Sequence, residues 1–161
     1  MTPTQQQALA AYIATVPEWA ALPNDSETAL AIAAGLNVVA APAFIVWRTR
    51  VTQDEIMQNG FDWVRVDNLS VGKARIWEWL FGNSERAINA AKSNVREGIA
   101  ECWKGTAADL AVQAAVLGHC KRPATIVEKV LAVGPGTDAA PATMGFEGAI
   151  GYADVQAARG A

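Results

Sequence analysis

Apolar residues recur at helical spacing along most of the chain, and capping residues mark where the helices begin. Pro3 suits a first helical turn, with Thr2 as its cap, and predicts a helix to about Thr15, ended by Pro17. Ser26 predicts the N-cap of a second helix, with Gly35 as its C-terminal glycine. A short apolar segment follows from Pro42 to Trp47. Thr52 and Glu55 have capping-box spacing and predict a short helix stopping at Gly60. Phe61–Leu69 is ambiguous between strand and helix, and a helical turn or loop is the preferred reading.

Ser70–Phe81 predicts a clearer helix. At about 100° per residue, Ala74, Ile76, Trp77, Leu80 and Phe81 share a face. Trp79 falls beside it and widens the apolar arc beyond what one packed side requires. Either neighbouring elements of the same domain cover this excess, or Trp77 or Trp79 reaches a second subunit. Ser93 predicts the cap of a helix over residues 94–104. Thr106 and Asp109 predict a second capping box before a helix over residues 107–120 that is apolar almost all round. Pro123 predicts one more helix, to about Ala132.

Beyond Gly134 the texture changes. Residues 134–152 carry too many Gly and Pro for a helix interior, and a short final helix is expected over residues 154–159. Met144, Phe146 and Ile150 suit a small hairpin, an extended arm reaching a neighbouring molecule, or a loop tucked on the domain itself. The predicted fold is mainly α: an Ala-rich domain of about six helices at 1–133, followed by a Gly/Pro-rich C-terminal arm at 134–161.

The composition is 52% hydrophobic and 18% charged, with six Trp and a net charge of −3 in 161 residues. This excludes a disordered chain, and two cysteines exclude a disulfide framework. A slightly acidic balance argues against nucleic acid as a partner. Residues 29–47 are uncharged over 19 positions, near the length that spans a bilayer. Asn37, Pro42, Gly35 and the many alanines favour a broken soluble helix over a membrane span.

Candidate chemistry is sparse. His119 is the only histidine, and its neighbour Cys120 points about 100° away from it on a helix. In a helical hairpin, Cys102 would lie roughly 20 Å from Cys120, too far for a disulfide or a shared metal. Asp54–Glu55 and Asp62–Asp67 fit capping and solvation, and no phosphate-binding loop or nucleophile elbow is present. No catalytic, cofactor-binding or metal-binding residue is therefore expected.

Three segments read as a group: DEIMQNGFDWVRVDNLSVGKARIWEWLF, NVREGIAECWKGTAADLAVQAAVLGHCKR and MGFEGAIGYADVQAAR. Together they resemble small virion proteins encoded in the structural gene clusters of tailed bacteriophages and prophages. The resemblance runs from about Pro23 to Arg159 and rests on aromatic, aliphatic and capping positions, so it carries over no catalytic residue. It implies a non-enzymatic structural subunit, present in many copies in the tail or at the head–tail junction. Its partners would be copies of itself and other virion proteins, with neither nucleic acid nor membrane bound. The interface residues expected on this reading are Trp77, Trp79, Phe81, Met144, Phe146 and Ile150. Rival readings are a small enzyme, disfavoured by the lack of convergent polar groups, and a helical regulatory protein or assembly chaperone absent from the finished particle.

Overall fold

The computed structural model describes residues 1–58 and 61–160. The fold is mainly α, with ten helices and only small two-stranded sheets among the described residues. In chain order these are α1 (Pro3–Thr15), α2 (Pro17–Ala20), α3 (Ser26–Leu36), β1 (Ile45–Trp47), β2 (Val51–Thr52), α4 (Gln53–Ile56), α5 (Trp63–Asp67) and α6 (Val71–Leu80). There follow β3 (Ala87–Ile88), α7 (Ser93–Cys102), α8 (Ala107–His119), β4 (Lys121–Pro123), α9 (Ile126–Val130), β5 (Ala132–Val133), β6 (Thr143–Met144) and α10 (Tyr152–Arg159).

Local capping explains most helix starts. Thr2 with Gln5, Thr52 with Glu55, and Thr106 with Asp109 each close a reciprocal box that satisfies two free backbone donors. Other boundaries differ from expectation for identifiable reasons. The cap of α3 is Asp25, whose carboxylate accepts from Thr28 N at 2.8 Å, so Ser26 is already helical. Gly35 lies inside α3 and does not end it. The Trp19 ring occupies the space a side chain would take, since a Cβ there would lie 2.7 Å from Trp19 Cζ2. Ser93 is the first residue of α7, and Lys92 precedes it without a side-chain cap. Pro123 closes β4 and does not open a helix, because Thr125 and Glu128 form a fourth box that starts α9. Residues 63–67 are helical, and the expected stop at Gly60 lies outside the described residues.

The chain groups into two units: Met1–Val46 with Pro123–Ala161, and Trp47–Arg122. The first unit packs α1, α3, α9 and α10 around Leu9, Ile13, Ile32, Leu36, Val127 and Val155, all essentially buried. The segment after Gly134 is part of this unit. Ile150 and Ala158 are buried in its core, and the Asn37 side chain donates to Ile150 O at 2.9 Å and accepts from Ile150 N at 3.0 Å. The Arg159 guanidinium donates to the carbonyls of Pro23 and Leu22. The strand residues of this segment, Thr143–Met144, pair antiparallel with Ala132–Val133, which lie ahead of it, so the ribbon is not a hairpin within 134–161. The uncharged stretch 29–47 is divided between α3, a bend at the cis Ala41–Pro42 peptide, and β1. Among the described residues no helix is long and apolar enough to cross a membrane.

The second unit joins β2 to β3, with Val51 opposite Ile88, and also holds α4 to α8. Its core holds Val51, Ile56, Trp77, Phe81, Ile99, Trp103, Val112 and Val116. Helices α6 and α7 approach closely at Gly98, where a Cβ would lie 3.4 Å from Leu80 Cδ2 and 3.8 Å from Ile76 Cγ2.

Candidate functional site

Aromatic residues dominate the second unit. Helix α6 turns Trp77 inward, where its ring meets Phe81 at 5.1 Å, Trp103 at 5.5 Å and Phe61 at 5.9 Å between centroids. Phe61 continues the cluster to Trp63 at 5.1 Å. Edge-on and offset ring pairs of this kind each add about 0.5–1.5 kcal/mol beyond area burial. Trp103 is fully buried, and its Nε1 has no hydrogen-bond partner among the described residues, so packing alone holds the ring.

This geometry corrects half of the expected interface set. Trp77, Phe81 and Ile150 are buried in the chain's own cores and present no surface to a partner. They are inward because α6 and the segment before α10 each have neighbours that cover them within their own unit. Met144 and Phe146 are half-buried against the first unit's cores. Trp79 alone of the six is held out to solvent, 76% exposed, two positions and therefore about 200° round the helix from Trp77.

The outer face of α6 carries Val71, Gly72, Arg75, Glu78 and Trp79, all exposed. Nearby in sequence, Trp63 and Val64 on α5 are also exposed. That short helix is pinned by its Asp62 cap, which accepts from Val64 N at 3.0 Å, and by Arg65, whose guanidinium lies 3.8 Å from Asp109 at the start of α8. In the first unit a second apolar face was not anticipated. Leu30 is 59% exposed and Val38 52%, and with Ala31 and Ala34 they line the solvent side of α3 and the residues just after it. The signal was present in the sequence, because α3 is uncharged over its whole circumference after Glu27, more apolar surface than one core can cover.

Polar groups are mostly engaged in structure. Arg48 pairs with Glu55 at 2.6 Å and donates to His119 O at 3.1 Å. With the Thr52 amide and hydroxyl also donating to Glu55, its carboxyl is pulled down to about 2, first by the Arg48 hydrogen bond and then by Thr52. Cys102 and Cys120 are free and buried, and burial pushes both thiols up to about 11, the opposite of what a nucleophile needs. A shallow groove of about 460 Å³ is lined by Thr49, Arg50, Asn83, Ser84, Glu85 and Asn89. Its charges compensate each other, since Arg50 pairs with Glu85 at 3.0 Å, and Asn83 is occupied in holding the loop at Glu85 N and Ala87 N. Among the described residues no group of three His, Cys, Asp or Glu side chains could hold a metal ion.

Comparison with known protein families, curated proteins and solved structures gave no match.

Proposed function

We propose that this chain is a non-enzymatic structural subunit of a tailed-phage virion, present in several or more copies in the tail or at the head–tail junction. It works without cofactor or metal, and its partners are copies of itself and other virion proteins. The observation that carries this reading is the placement of Trp79. A helix whose inner face is already saturated by Trp77, Ile76 and Leu80 still holds a second tryptophan in water. Such a residue gains most when another molecule covers it, and tryptophan is enriched at the centres of protein interfaces. The resemblance of residues 23–159 to small phage virion proteins supports the same conclusion.

Mass spectrometry of purified particles tests it. The chain is expected in the particle in multiple copies. A chain that is made during infection but absent from finished particles would overturn the reading in favour of an assembly chaperone or regulatory protein.

A further inference from the structure

We draw no further inference here: the strongest candidate, the exposed surface patch that Val71 and Trp79 form on the outer face of α6, carries none, because Arg75 and Glu78 leave that face without net charge and nothing in the structure shows what covers it.

Discussion

The ring of Phe44 lies against the backbone of Gly136, where an added Cβ would collide with the ring edge. Gly136 has φ +68°, and its carbonyl accepts from Ile45 N at 2.7 Å, so the ring and the turn hold each other in place. Gly136→Ala combines a left-handed backbone with a core collision. It should destabilise the protein by about 3 kcal/mol or more. Adding Phe44→Ala should recover the collision but not the backbone strain, so chemical denaturation of the double variant should show clear non-additivity. Simple additivity would show that the two residues do not press on each other.

Acid stability should report on Glu55. Its folded carboxyl, drawn down first by Arg48 and then by Thr52, titrates near 2 against an ordinary value of 4.5. A depressed folded value means that the contribution is fully present above about pH 5.5 and is lost as pH falls through 4.5 towards 2. Its side chain is 36% exposed, so solvent screening reduces the contribution to about 1–2 kcal/mol. Glu55→Gln should lower stability by that amount at neutral pH, and the difference from wild type should vanish near pH 2. An undiminished gap at pH 2 would place the loss elsewhere than in the ion pair.

What was legible in the sequence is what is decided locally. The boxes at Thr2, Thr52 and Thr106 involve groups three residues apart, so spacing alone identifies them. Gly35 and Pro123 were misplaced because distant groups decide them: the Trp19 ring covers Gly35, and the Thr125–Glu128 box takes over the start of α9. The Gly/Pro density after residue 134 correctly excludes a helix interior, but the docking of Ile150 beside Asn37 depends on a partner 113 residues away. For the candidate site, periodicity placed Trp79 off the main stripe. Which tryptophan turns inward depends on the position of α7, which approaches α6 at Gly98. The exposed face of α3 went unrecognised because an all-apolar helix gives periodicity no polar side from which to read a direction.

The two thiols should behave as buried core groups. Cys102 donates its S–H to Lys73 O at 3.4 Å, and both thiols are raised to about 11 by burial. Near neutral pH neither supplies much thiolate, so an aromatic disulfide reagent should react with no thiol in the native protein and with two after denaturation. The native reaction rate should then follow opening of the second unit and rise with denaturant. Rapid modification of one thiol under native conditions would show that its surroundings are more open than the fold implies.

Trp77 and Trp79 are two residues apart and should respond oppositely to the same change. Trp77 is 6% exposed and touches Phe61, Phe81 and Trp103, so Trp77→Ala removes a ring from the centre of the second unit and should cost about 3–5 kcal/mol. Trp79→Ala removes a ring already in water and should change unfolding free energy by less than about 0.5 kcal/mol. Fluorescence divides the pair in the same way. A quencher such as acrylamide should lose a large part of its accessible signal in the Trp79→Ala protein, because Trp79 is the most exposed of the large aromatic residues. If Trp79→Ala instead unfolds the chain, α6 must be seated with its other face inward, and the division between core and surface drawn along this helix would be reversed.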